Sequence, residues 1–120
     1  MKLSRYPQFD LNSKFTLLGQ YIMIIVNVSM MDANNRIRKS TTVDENFIRD
    51  QISEERNKGN FFIVAVVGDK CEKIEKGDYI SLFNDSVPQG SYLLDTVSEE
   101  RESYNIGLIF SENDVLFKRT

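Results

Sequence analysis

Side chains able to do chemistry are few in this chain. Histidine is absent and cysteine occurs once, as Cys71. Lack of imidazole removes the commonest general base, the Ser-His-Asp and Cys-His nucleophile arrangements, and the usual zinc ligand sets. One cysteine excludes an intramolecular disulfide; Cys71 lies in a charged turn and reads as a tolerated thiol. Carboxylates cluster at Glu54-Glu55 and at Glu99-Glu100-Arg101-Glu102. Neighbouring carboxylates on polar loops read as solvated charge, and neither cluster has the spaced oxygen ligands of a calcium loop. No Gly-Xaa-Gly-Xaa-Xaa-Gly stretch is present to cradle a dinucleotide. The expectation is a protein that is not an enzyme, with no catalytic residues, no metal and no cofactor.

Charge and length narrow the partners. The chain has 120 residues, 41% hydrophobic and 28% charged, with a formal net charge of −3. That composition fits one globular domain over residues 1–120 with a modest core. An acidic balance argues against a nucleic-acid surface. The densest basic run, Arg36-Ile37-Arg38-Lys39, reads as an exposed loop. The longest apolar runs, Tyr21–Val26 and Phe61–Val67, fall well short of the roughly 18–20 residues that span a bilayer. MKLSRYPQFD has no apolar core of the kind a signal peptide needs. The expected location is cytoplasmic, with no membrane partner.

The positioning elements centre on Gly59 to Asp85. Phe61–Val67 is an unbroken apolar run, rich in β-branched and aromatic residues and bounded by Gly59 and Gly68; it predicts a strand buried on both faces. Tyr79–Phe83 alternates, with Ile80 and Leu82 on the inner side, and predicts a half-buried strand. Between them Lys76-Gly77-Asp78 predicts a turn, with Asp78 bonding its own backbone two residues on. Phe15–Val28 is the first core strand, with Gly19 marking a bulge or a turn into the strand proper.

Tyr92–Val97, Tyr104–Phe110 and Val115–Lys118 complete the strands. Ser111 to Asp114 predicts a turn or a single helical turn. Residues 1–14 form an N-terminal arm whose Leu3, Tyr6, Phe9 and Leu11 favour docking on a protein surface. Residues 30–60 form a polar insert with a short helix at Asp44–Asn57, opened by capping-box spacing from Thr42 to Glu45 and stopped by Gly59. Short strands, frequent turns and no βαβ alternation predict an all-β barrel or sandwich.

Several blocks carry a family resemblance. LLGQYIMIIV at Leu17–Val26, KGNFFIVAVVG at Lys58–Gly68, IEKGDYISLFND at Ile74–Asp85 and YNIGLIFSENDVLF at Tyr104–Phe117 come in the order of the matching segments of GroES-type co-chaperonins. The chain thus resembles a divergent member of that family, viral members included. The resemblance implies a small, partly orthogonal GroES-like β-barrel with residues 30–60 in place of the mobile loop. It also implies a homo-oligomer whose subunits pair terminal strands, placing Phe15, Leu17, Leu18, Val115, Leu116 and Phe117 at subunit contacts. The co-chaperonin loop carries a Gly-Gly-Ile-Val-Leu-like stretch that ends in a hydrophobic tripeptide. Here no glycine lies between Gly19 and Gly59, and the nearest apolar candidates are Ile37 and Phe47-Ile48.

Two functions follow. One is a co-chaperonin that caps a chaperonin ring and assists folding, with Ile37, Phe47 and Ile48 as partner-binding residues. The other is a structural or accessory, capsid-decorating subunit of a viral particle, located in the virion or the host cytoplasm. In both, the partners are proteins: a chaperonin ring or viral capsid proteins.

Overall fold

A computed structural model describes residues 7–29, 53–54, 61–83, 86–96 and 101–119. Six strands form its framework: β1 (Tyr21–Ser29), β2 (Phe62–Val67), β3 (Tyr79–Leu82), β4 (Gly90–Leu93), β5 (Ser103–Ser111) and β6 (Val115–Arg119). They make one antiparallel sheet in the order β4-β5-β1-β2-β3-β6. The all-β class expected from the alternating strands is present. Among the described residues no ladder joins β4 to β6, so the two ends of the sheet stay separate. Of the helix expected at 44–57, only Ser53 and Glu54 are described, and both are helical; the rest lies outside the described residues.

Alternation decides which side chains meet. β1 places Ile22, Ile24, Val26 and Val28 on one face, and β5 places Tyr104, Ile106, Leu108 and Phe110 opposite them in an unbroken ladder from Tyr21↔Ser111 to Ser29↔Ser103. Phe62 and Val64 of β2, Ile80 and Leu82 of β3, Leu93 of β4 and Ile74 close the same cluster. Each large aliphatic or aromatic side chain fully buried there contributes about 1.5–3 kcal/mol by leaving water. β2 changes partner along its length. Phe62 and Ile63 pair with β3, whereas Val64 to Val67 pair with β1 across a register shift at Met23/Ile24. That extra residue turns the sheet and lets one strand serve both halves.

The turns obey local chemistry. Gly77 takes φ 93°, a left-handed conformation that costs a side-chain-bearing residue energy. Asp78, however, reaches backward and not forward: its carboxylate accepts from the Glu75 N–H at 2.9 Å, three residues earlier. Ser111 to Asp114 is a single 3-10 turn with a reciprocal capping box. The Ser111 hydroxyl accepts from Asn113 N–H and the Asp114 carboxylate from Ser111 N–H, both at 3.2 Å.

Two strand expectations are corrected. Phe61–Val67 is not buried on both faces: Ile63 is 40% exposed and Ala65 to Val67 are half-buried. Among the described residues the sheet has a single hydrophobic cluster, on one side of β2, so the run is uniformly apolar without being uniformly covered. The fourth strand lies at Gly90–Leu93 in place of Tyr92–Val97. Its ladder stops there because Asp95 takes over the next bond: its carboxylate accepts from Asn105 N–H at 2.6 Å and pairs with Arg101 at 3.0 Å.

Candidate interaction surface

Among the described residues, exposed apolar side chains occur on β2, β3 and β6 and also at Phe15, Leu18, Tyr21 and Val87. On the outer face of those three strands Ile63 lies opposite Tyr79, Tyr79 opposite Arg119, and Ser81 opposite Phe117. Ile63 and Tyr79 are each 40% exposed and Phe117 62%. Phe83, just past β3, is exposed as well. The Arg119 guanidinium sits 5.3 Å from the ring centres of both Phe61 and Tyr79, a cation–π arrangement that links the two rings.

β6 supplies an edge to that face. Among the described residues its one ladder runs to β3, leaving its other side open. A register shift sets Ser81 against Phe117 and Leu82 against Val115, so Leu116 is the extra residue and is turned outward. A cleft of about 600 Å3 runs beside the strand, lined by Lys73, Ile74, Val115, Leu116, Phe117 and Lys118 among others.

Buried polar groups fix the cleft. Glu112, 7% exposed, directs one carboxylate oxygen at three successive backbone N–H groups: Glu72 at 3.0 Å, Lys73 at 2.9 Å and Ile74 at 3.2 Å. Charge-assisted bonds of this kind tie the β2–β3 connection to the turn that starts β6. Lys118 reaches in from β6, donating to the Lys73 carbonyl at 2.6 Å and approaching the buried Asp78 carboxylate at 3.5 Å. Cys71 stands nearby, its Sγ 3.3 Å from the Tyr21 carbonyl. Burial pushes its thiol up from the ordinary value, with the Glu112 and Asp69 charges adding to the rise and a backbone hydrogen bond with Gly68 partly offsetting it.

The sequence-expected contact residues fall in two segments, one before β1 and one in β6, and just past the first the Gln20 carbonyl accepts from the Glu112 N–H at 2.7 Å, at the turn before β6. Val115 is half-buried against the core, whereas Leu116 and Phe117 face solvent. Phe15 packs edge-on to Phe9 with ring centres 4.6 Å apart, Leu17 accepts a backbone bond from Asp69 beyond the end of β2, and Leu18 is 67% exposed. β6 lies on the far side of β3 in the sheet order. Ile37, Phe47 and Ile48 lie outside the described residues.

Sequence reasoning missed Ile63, Tyr79 and Arg119. The signal that could have found them is the apolar excess of Phe61–Val67 beyond what one core face needs. Among the described residues no group of three or more His, Cys, Asp or Glu side chains is arranged to hold a metal ion, and no helix is long and apolar enough to cross a membrane. Set against protein-family models, curated proteins and solved structures, the chain matches none of them.

Proposed function

We propose that this chain is a non-enzymatic protein-interaction module that assembles with copies of itself through β6 and, as a ring, caps a chaperonin in the manner of the co-chaperonins it resembles. The observation that carries the reading is β6 itself: an outer strand whose second side has no ladder among the described residues, with exposed Leu116 and Phe117 and exposed Ile63 and Tyr79 on the sheet face beside it. An edge of this kind accepts a further strand through main-chain hydrogen bonds while its pockets take side chains. The complementary segment is Phe15–Leu18. In this reading Phe15–Leu18 of one copy adds to the open side of β6 of the next. The sheet is then the wall of a small, partly orthogonal GroES-like barrel, with the partner change along β2 supplying the bend and residues 30–60 serving as the insert.

Native mass and co-migration test this. The parent chain should run as a closed oligomer, and Phe117→Asp, which places a charge at the contact, should shift it to monomer while leaving the circular dichroism of the sheet unchanged. The oligomer should also co-migrate with a chaperonin ring in the presence of nucleotide. A monomeric parent chain refutes the assembly. An oligomer that ignores the chaperonin but is found at fixed stoichiometry in purified virus particles moves the assignment to the accessory-subunit reading.

A further inference from the structure

β4, the opposite outer strand, is not bare. Pro7 to Phe9 runs along it, with Gln8 bridged to Leu93 in parallel. Leu93 N–H donates to the Pro7 carbonyl at 3.0 Å, and Phe9 N–H donates to the Leu93 carbonyl at 2.9 Å. Gln8 Nε2 adds bonds to the carbonyls of Leu93 at 3.1 Å and Asp95 at 2.9 Å. The Phe9 ring packs against Phe15 and, with centres 5.4 Å apart, against Tyr92. Backbone groups of an antiparallel strand point alternately toward and away from their neighbour. Leu94 N–H bonds to Asn105 on the β5 side, so Leu93 and Ser91 present theirs outward. The arm therefore occupies the outward N–H and C=O of Leu93, two of the groups that an added strand would use.

Two bare edges on one sheet are a hazard. Copies can add edge to edge without closing, and the product is an open filament. We infer that Pro7–Phe9 is an edge guard: it occupies a strand-accepting site on β4 that would otherwise take an extended segment of a second copy of this chain. The guard leaves β6 as the accepting edge, and growth through β4 is blocked. This rests on the reading of β6 as an assembly edge. The apolar content of the arm fits the role, because the half-buried Phe9 ring packs against Phe15 and against Tyr92 of β4 itself.

Full-length variants test the guard. Phe9→Pro removes the donated N–H and the ring; Gln8→Ala with Phe9→Ala removes the side-chain clamps alone. Both should retain the circular dichroism of the parent. In both, the Leu93 amide should exchange faster by about tenfold or more, as local protection is lost. Sedimentation should then show species larger than the parent oligomer. Ser91→Pro, which deletes an outward N–H of β4 without touching the ladder to β5, should return either variant to the parent distribution.

Faster Leu93 exchange with an unchanged mass distribution overturns the inference. So do unchanged exchange and large species that persist with Ser91→Pro. Failure of the β6 reading looks different. The parent would then be a monomer indifferent to Phe117→Asp, and the uncovered variants would give β4-to-β4 pairs that Ser91→Pro abolishes.

Discussion

At the scale of single residues, Glu112 does the most for this architecture. One oxygen answers three backbone donors in a connection that has few other ways to satisfy them. Glu112→Gln keeps the shape and an acceptor but removes the charge, and should lower stability by about 1–2 kcal/mol. Glu112→Ala abandons the three donors in a buried site and should lower it by about 3 kcal/mol or more. Urea midpoints at constant slope measure both. Equal midpoints for the three proteins would mean that water replaces the carboxylate at no cost. The turn from Ser111 to Asp114 was legible in the sequence because four consecutive polar residues write it locally. Glu112 was not, because its partners lie some forty residues earlier in the chain and only the fold delivers them. Asp78 shows the same limit at short range. Its turn was legible, but the direction of its bond was set by where Lys118 and the Glu75 N–H stand.

Elements inherit their boundaries from what they pair with. The alternating strands were readable, since period-two patterning and core burial are one fact seen twice. The displaced β4 was not, because its limits depend on Asp95 and Arg101 competing for the end of the β5 ladder. The exposed face of β2 was hidden by uniform apolarity. Two glycines show how differently the same residue can serve an element. A Cβ on Gly77 would meet nothing within 4 Å, so Gly77→Ala is opposed only by its φ of 93° and should lower stability by about 1 kcal/mol. A Cβ on Gly68 would lie 2.1 Å from the Gly19 carbonyl oxygen and 2.9 Å from that of Tyr21. Gly68 N–H also donates to the Tyr21 carbonyl at 2.7 Å, so the backbones cannot separate without breaking the β1–β2 junction. Gly68→Ala should therefore lower stability by about 3 kcal/mol or more, several times the effect at Gly77. Comparable thermal midpoints for the two variants would contradict this account of the junction.

At the scale of the whole molecule, the described residues form a sheet of unequal halves. β1 and β5 share a ladder of nine residue pairs, whereas β2 and β3 share two, Phe62↔Ile80 and Ile63↔Tyr79. The β3–β6 pair is thus joined to the rest by a short ladder that the Val64 bonds with Gly77 and Asp78 continue, by Ile80 and Leu82 in the common core, by the Glu112 bonds and by Lys118. Cooperative units open with free energies that follow their contacts, so the two halves should exchange amide hydrogens at different rates. Slowest exchange is expected in β1 and β5, at Ile24 and Leu108 for example, and much faster exchange in β3 and β6. Assembly through β6 adds a second condition. If a neighbouring copy covers this edge, protection of β6 amides must rise with protein concentration while that of β1 and β5 stays level, because mass action stabilises only the segment the partner binds. Phe117→Asp should abolish the concentration dependence and leave the β1–β5 rates alone. Uniform protection across the sheet would show one cooperative unit in place of two. Protection of β6 that ignores concentration would mean that its open side is covered from within the chain, and the edge would then have no neighbour to receive.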